Sequence, residues 1–198
     1  MTDRSSHADR SEVCSLVRRS HGGHGPSAAR LHSLLAPRLY VLAEAVTRDA
    51  GLAEDAVQNA FCTLLELSRR EVRYLEDPSR WLATVARREA LMMLRSRRRR
   101  LQRERAHASR AVETSDADRP SMGDAIRTLP RQLREIVVLK HAFGFTFDQV
   151  SLSMGISRSS AVRRYERART WLRDILDPGD AGIEPSARQP GMEVVSDV

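Results

Sequence analysis

The stretch TFDQVSLSMGISRSSAVRRYERARTWLRDIL, residues 146–176, decides the fold of the second half of this chain. Its first part is a short helical pattern of apolar residues that ends at Gly155, and Ser157 then caps a second helix. The second helix carries six arginines: Arg158, Arg163, Arg164, Arg167, Arg169 and Arg173. A helix, a tight turn and a basic second helix form the pattern of a helix-turn-helix, which lays its second helix in the DNA major groove. The stretch therefore predicts nucleic-acid recognition.

The charge of the whole chain agrees with a polyanionic partner. The 198 residues carry a formal net charge of +7 and a pI of about 10.5, as many nucleic-acid-binding proteins do. Lys140 is the only lysine. Arginine suits phosphates and guanine edges, but a GC-rich genome also replaces lysine with arginine, so the preference for arginine decides nothing by itself.

The sequence predicts a cytoplasmic protein without membrane insertion. Its two cysteines, Cys14 and Cys62, form no disulfide framework. The N-terminal residues have no apolar core of a signal peptide, and no stretch approaches the ~20 apolar residues of a membrane span. The histidines at 7, 21 and 24 lack partners at metal-ligand spacing, so we expect no metal and no cofactor.

Helical periodicity runs through most of the chain and no strand pattern is convincing, so the predicted fold class is all-α. Apolar stripes with short connections predict a helical domain over 27–105. A segment without periodicity at 106–122 is typical of a flexible linker, and a second domain over 123–176 contains the helix-turn-helix. Residues 1–26 and 177–198 are expected to be flexible tails.

The end of the first domain is unusually basic. Between Arg87 and Arg105 there are nine arginines and two glutamates. A run of like charges repels itself unless a polyanion neutralises it. The run therefore indicates a second nucleic-acid contact, although a solvated, frayed helix end is the alternative.

Four segments in this order resemble a compact bacterial RNA polymerase sigma factor of the sigma-70 family, of the two-domain extracytoplasmic-function (ECF) type. The resemblance covers roughly residues 27–176. Its segments are AEDAVQNAFCTLLE, PSRWLATVARREALMMLRSRRRR, LPRQLREIVVLKHAFGFTFDQVSLSMGIS and YERARTWLRDIL. It implies a sigma region 2-like domain at 27–105 and a sigma region 4-like domain at 123–176, which bind core RNA polymerase and promoter DNA.

The resemblance assigns polymerase docking to the AEDAVQNAFCTLLE helix. It implies contacts with the clamp from the first domain and with the flap from the second. The candidates on the helix's polar face are Asp55, Gln58, Asn59 and Glu66. Each of them is otherwise an ordinary solvated helix residue.

Recognition and melting of the promoter −10 element are assigned to the loop at 71–80 and the helix after it. A base that leaves the stack needs a surface to hold it, and Tyr74 and Trp81 are the aromatic residues there. The helical spacing of Trp81 equally suits a core residue. The arginines expected to hold phosphates are Arg80, Arg87, Arg88, Arg95 and the run at 97–100. Family members often have asparagine at position 88 and a polar or acidic residue at 92, so the −10 preference of this chain is open.

Recognition of the −35 element is assigned to the second helix of the helix-turn-helix. At its start, backbone N–H groups and hydroxyls can hold a phosphate, and later side chains can contact base edges. The candidates are Arg158, Ser159, Ser160, Val162, Arg163, Glu166 and Arg167. Positions 162, 163 and 166 depart from the common residues of the family, which implies a different −35 sequence.

Two other function classes compete with this interpretation. A stand-alone helix-turn-helix regulator would share the second domain, and binding to promoter duplex without polymerase would favour it. An enzyme is not expected, because the sequence has no phosphate loop, no nucleophile–base arrangement and no paired metal-ligand spacing. The resemblance also allows an anti-sigma protein as a further partner.

Overall fold

The computed structural model describes residues 3–104 and 121–177, with side chains from residue 10 to 101 and from 121 to 177. Within these ranges the chain is helical and has no strand, which confirms the all-α fold class. The helices are α1 (Asp3–His21), α2 (Gly25–Thr47), α3 (Ala50–Glu66), α4 (Arg69–Tyr74), α5 (Pro78–Glu104), α6 (Met122–Thr128), α7 (Arg131–Phe143), α8 (Phe147–Met154) and α9 (Arg158–Leu176). None of them is long and apolar enough to cross a membrane. We call α1–α5 the first unit and α6–α9 the second unit.

The N-terminal segment differs from its expected flexibility, because residues 3–21 form helix α1. Three apolar residues at helical spacing explain the helix: Val13, Leu16 and Val17 are at most 4% exposed. They pack in the core of the first unit against α2 and α5. Arg10 adds an ion pair with Asp77, 3.4 Å away, just before α5. Apolar burial thus outweighs the polar composition that suggested a tail.

Helices α2, α3 and α5 form the helical domain that the apolar stripes predict. The stripe of α2 is buried from Leu31 to Val46. Helix α3 begins at Ala50, before its first carboxylates, because Asp49 accepts a hydrogen bond from the Leu52 N–H at 3.0 Å and caps the helix. The pKa of Asp49 is lowered by this hydrogen bond first and by Arg97 next. The expected loop before α5 contains a further short helix, α4, which Ser68 caps.

The second unit contains the two helices expected before the helix-turn-helix. Helix α6 ends before Pro130, and α7 follows it. The expected linker at 106–122 lies mostly outside the described residues, but Ser121 already caps α6 and Met122 is its first residue. The tail expected at 177–198 lies outside the described residues beyond Asp177.

The two units pack directly against each other through α2, α5 and α7. One hydrophobic core contains residues of both units, such as Leu39 and Ala43 of α2 with Ile136 and Leu139 of α7. A smaller core between α7 and α9 contains Leu129, Leu133, Val137 and Ala168. No pattern in the sequence indicates that the two units share a core.

Candidate nucleic-acid interface

The helix-turn-helix is built by local capping and a few buried contacts. Thr146 and Gln149 form a capping box at the start of α8. Gly155 ends the helix with φ 65°, in the left-handed region that glycine adopts at little cost. Ser157 then caps α9 by accepting from the Ser160 N–H at 3.2 Å. These are the turn and the cap that the sequence predicts.

Buried and aromatic contacts hold the helices of the motif together. Val150 and Ala161 are fully buried at the crossing of α8 and α9. The Tyr165 ring lies edge-on to Phe147, with centroids 5.5 Å apart, and its hydroxyl lies 3.0 Å from His141 Nε2. These contacts fix α9 against α7 and α8, so its outer face is held rigidly.

The outer face of α9 presents most of the predicted −35 residues. Arg163, Glu166 and Arg167 are exposed, and Val162 is half-buried beside them. Glu166 lies 3.0 Å from Arg169, in an exposed ion pair that costs little to open. Arg163 makes only a long contact of 3.5 Å with the Ser160 hydroxyl. Arginine can pair with a guanine edge and glutamate can accept from a cytosine amine, so this face can contact bases.

The start of α9 differs in one respect from the phosphate grip that the sequence suggested. The Ser157 hydroxyl lies 2.8 Å from the Ser160 hydroxyl and 3.1 Å from that of Ser159. Both candidate hydroxyls are therefore already within the cap's hydrogen-bond network. Arg158 is exposed and lies 3.1 Å from the exposed Asp148 of α8. The Arg158 guanidinium can bind a phosphate once it leaves Asp148, because an exposed ion pair of this kind costs little to break.

The two aromatic candidates for the melted base have different surroundings. Tyr74 is 71% exposed at the end of α4. Trp81 is half-buried and packs against the core of the first unit. The exposed ring of Tyr74 can stack on a base, whereas the Trp81 ring has the surroundings of a packing residue.

Four of the arginines predicted for the −10 region divide into two pairs, and the run at 97–100 follows them on α5. Arg88 and Arg95 are exposed on α5, where phosphates can reach them. Arg80 instead points toward the second unit, and its Nη2 donates to the Gly144 carbonyl at 2.8 Å. Arg87 also points toward the second unit. Of these four, Arg88 and Arg95 face solvent, and Arg88 makes only a 3.4 Å contact with Glu89, whereas Arg80 and Arg87 are bound to the second unit.

Arg87 forms a buried ion pair with Glu135 of α7. Its Nε and Nη2 each lie 2.8 Å from Glu135 Oε2, and its Nη1 donates to the Ser153 carbonyl at 2.7 Å. The Arg87 side chain is 11% exposed and that of Glu135 is 1% exposed. Arg131 Nε lies 3.2 Å from Oε1 of Glu135, which accepts no hydrogen bond from the described residues. The sequence does not predict this pair, because its two residues lie 48 positions apart.

Other arginines that no sequence argument singled out also join the units. Arg134 donates from Nε to the Ala45 carbonyl at 2.8 Å and is 3% exposed. Burial, followed by repulsion from Arg48, lowers the pKa of Arg134 to about 10, so it stays charged at neutral pH. Arg48 donates to the Arg127 carbonyl at 3.0 Å. Charged residues within the apolar run of α7 are the only sequence signal of this interface.

The predicted polymerase-docking residues form one exposed surface on α3. Asp55, Gln58, Asn59 and Glu66 are all exposed. Leu65, which helical spacing places in the buried stripe, is 55% exposed beside Glu66. A single exposed leucine is ordinary on a protein surface, so the candidate docking surface rests on the four polar residues.

Comparison with known proteins gives the same division of the chain. The family description "Sigma-70 region 2" matches residues 31–100, and "Sigma-70, region 4" matches residues 121–172. The RNA polymerase sigma factor CarQ of Myxococcus xanthus is 33% identical over 154 residues, which are 71% of this chain and 84% of CarQ. The ECF RNA polymerase sigma factor SigK of Mycobacterium ulcerans is 26% identical over 176 residues, 84% of this chain and 94% of SigK.

Two solved structures share the fold. The sigma factor RpoE of Bartonella quintana, in complex with the anti-sigma factor NepR, aligns with a TM-score of 0.59 at 24% identity. It covers 75% of this chain and 95% of RpoE. CnrH, in complex with the cytosolic domain of CnrY, aligns with a TM-score of 0.52 at 19% identity, over 85% of this chain and 99% of CnrH. With both sigma regions in order and a relative of this similarity, the chain belongs to the sigma-70 family of RNA polymerase sigma factors, in its ECF group.

Proposed function

We propose that this ECF sigma factor binds core RNA polymerase in the cytoplasm and directs it to promoters through its two units. The observation that carries the proposal is the pair of exposed surfaces in one chain: the polar face of α3 in region 2 and the outer face of α9 in region 4. The first surface would dock on the polymerase clamp, and the second would read the −35 element. The protein itself would catalyse no reaction, because strand synthesis belongs to the polymerase.

The −10 contacts of the proposal come from two places. Tyr74 would hold an unstacked base, while Arg88 and Arg95 would hold phosphates of the same strand. Arg80 and Arg87 would join them only after the units separate, since both are bound to the second unit in the packed arrangement. An anti-sigma protein is a further proposed partner, because the sigma factor RpoE, which shares this fold, is found in complex with the anti-sigma factor NepR.

Co-elution with core RNA polymerase from a bacterium tests the proposal. Size-exclusion chromatography should show a stable complex with the wild-type chain. The charge-reversal variants Asp55→Lys and Glu66→Lys should weaken that complex, because both carboxylates lie on the exposed face of α3. Glu12→Lys is the matched control, since Glu12 is exposed on α1 and only pairs with Arg30 at 3.5 Å. A wild-type chain that binds promoter duplex but no core enzyme would instead be a stand-alone regulator.

A further inference from the structure

A basic cleft lies between the end of α1 and helix α4, beside the proposed −10 surface. Its volume is about 500 Å³. The residues that line it are Arg18, His21, Gly22, Arg69, Val72 and Arg73. No carboxylate lines the cleft, so its electrostatic potential is positive.

The three arginines of the cleft have no partner within the described residues. Arg18, Arg69 and Arg73 make no ion pair or hydrogen bond there, whereas Arg10 and Arg97 of the same unit are paired. The nearby Glu71 is committed to the capping box of α4, and hydrogen bonds from Ser68 lower the pKa of Glu71. Three unpaired guanidinium groups around one cleft repel one another unless an anion lies between them.

The helix dipole explains the position of only one of the three arginines. A cation in the last turn of a helix, such as Arg18 in α1, is favoured by the helix dipole. Arg69 is the first residue of α4, where the dipole disfavours a positive charge. Arg69 and Arg73 lie four residues apart on one side of α4, where like charges destabilise the helix. Their placement therefore favours an external anion over a role in helix stability.

The cleft is held in place by a contact with α3. His21 Nε2 lies 2.7 Å from the Leu64 carbonyl oxygen. A carbonyl oxygen only accepts, so Nε2 carries the proton in this bond. The bond fixes the end of α1 over the end of α3, and Arg18 with it. The rim of the cleft is thus built from two helices that are packed in a defined position.

The position of the cleft indicates which anion it binds. Arg73 directly precedes Tyr74, the 71% exposed aromatic residue proposed to hold a melted base. The phosphates of a strand whose base stacks on Tyr74 therefore pass next to the cleft. Helix α1 lies outside residues 31–100, the part of the chain that matches sigma region 2. Arg18 therefore lies outside the residues matched to sigma region 2.

We infer that this cleft binds the phosphate backbone of single-stranded promoter DNA, with Arg18 of α1 and Arg69 and Arg73 of α4 as its cations. The inference rests on the proposed function, since it takes the strand separated near Tyr74 as the ligand. Each arginine that holds a phosphate of single-stranded DNA contributes about 0.7 to the slope of log affinity against log salt concentration.

The test is the salt dependence of binding to a fluorescent single-stranded DNA of about 20 nucleotides, measured by anisotropy with the full chain. Arg18→Gln and Arg73→Gln should each reduce the slope by about 0.7, and the double variant by about 1.4. This corresponds to about a fivefold smaller change in affinity per tenfold change in salt for each variant. Arg19→Gln is the matched control, because Arg19 is exposed on α1 and does not line the cleft.

Three results would overturn the inference. Equal slopes for Arg18→Gln and Arg19→Gln would assign the binding to the general charge of the surface. A thermal shift with pyrophosphate that Arg18→Gln abolishes, without any change in the DNA slope, would assign the cleft to a small free phosphate. A change in the urea midpoint of the variants would mean that the arginines stabilise the folded protein instead of binding DNA. Co-elution with core polymerase is measured separately. If the wild-type chain forms no complex with the polymerase, the proposed function is wrong. If it forms the complex but Arg18→Gln and Arg73→Gln leave the salt slope of DNA binding unchanged, only this inference is wrong.

Discussion

Replacing the buried ion pair between the units tests the packed arrangement most directly. Arg87 and Glu135 are 11% and 1% exposed and meet in two contacts of 2.8 Å. At an effective dielectric constant of ~20, two unit charges at this distance attract by about 6 kcal/mol, and desolvation offsets much of it. Removal of Glu135 leaves the Arg87 charge without its partner, and removal of Arg87 leaves Glu135 with only the partly exposed Arg131 at 3.2 Å. The loss of one partner of a buried pair costs about 3–5 kcal/mol. We therefore expect Arg87→Met and Glu135→Met each to lower the free energy of unfolding by that amount.

The double variant should cost less than the sum of the two single variants. Two methionines leave no buried charge in the place of the pair, and such replacements are often near neutral. The Ser153 carbonyl still loses its donor from Arg87, which adds about 1–3 kcal/mol. The double variant of Arg87 and Glu135 is therefore expected to cost about 1–3 kcal/mol, so that the coupling between the positions is at least about 3 kcal/mol.

Urea unfolding followed by far-ultraviolet circular dichroism measures this cycle. The exposed pair of Arg169 and Glu166, 3.0 Å apart, is the control and should show a coupling below about 1 kcal/mol. If the costs of Arg87→Met and Glu135→Met add within about 0.5 kcal/mol, the two side chains do not form a buried pair in solution. The packing of the two units around Arg87 and Glu135 would then be wrong.

Three further predictions concern single positions. Arg163→Ala should weaken binding of the reconstituted holoenzyme to its −35 sequence by about 1–3 kcal/mol, with little loss on random duplex at matched salt. The control, Arg173→Ala, should affect both duplexes equally, and equal losses for Arg163→Ala would contradict its assignment to a base. Leu16→Ala should lower the free energy of unfolding, measured in urea, by about 2–5 kcal/mol because the side chain is 4% exposed. The control, Ser15→Ala on the exposed side of α1, should change it by no more than about 0.5 kcal/mol, and unchanged stability in Leu16→Ala would mean that α1 does not pack on the core. Asp49→Ala should lower the free energy of unfolding by about 1 kcal/mol at neutral pH. Because the pKa of Asp49 is lowered in the folded state, its stabilisation is present above its unfolded pKa of about 3.9 and is lost as the pH falls through the folded value. A pH series of urea midpoints should therefore show wild type and variant converging in acid.

Local signals predicted the helix-turn-helix well. Gly155 and Ser157 specify a turn and a cap through their own backbone and side-chain chemistry, and both act as predicted. Pro130 separated α6 from α7 for the same reason. Such positions depend on neighbours within a few residues, so the sequence alone suffices.

Helix α1 and the packing of the units depend on partners that are distant in the sequence. Val13, Leu16 and Val17 have the spacing of a buried helical stripe, but three apolar residues among many polar ones are a weak signal until α2 and α5 cover them. Arg134 and Glu135 interrupt the apolar run of α7, and both are buried. Such an interruption marks a buried polar contact, but its partners Ala45 and Arg87 lie 89 and 48 residues away. Periodicity cannot identify them.

The packed arrangement places a physical constraint on promoter binding by Arg80 and Arg87. Each donates hydrogen bonds to the second unit, Arg80 to the carbonyl of Gly144 and Arg87 to Glu135 and the carbonyl of Ser153. The N–H groups that bond to the second unit are not available to a phosphate. If both arginines contact the −10 strand in the open complex, the units must separate first, and that step leaves Glu135 without Arg87. Arg88 and Arg95 are exposed on α5 and need no such step. Substitution of Arg88 should therefore weaken DNA binding in any arrangement, whereas substitution of Arg87 should both weaken DNA contact and ease separation of the units, so that its net effect on promoter binding is the smaller of the two.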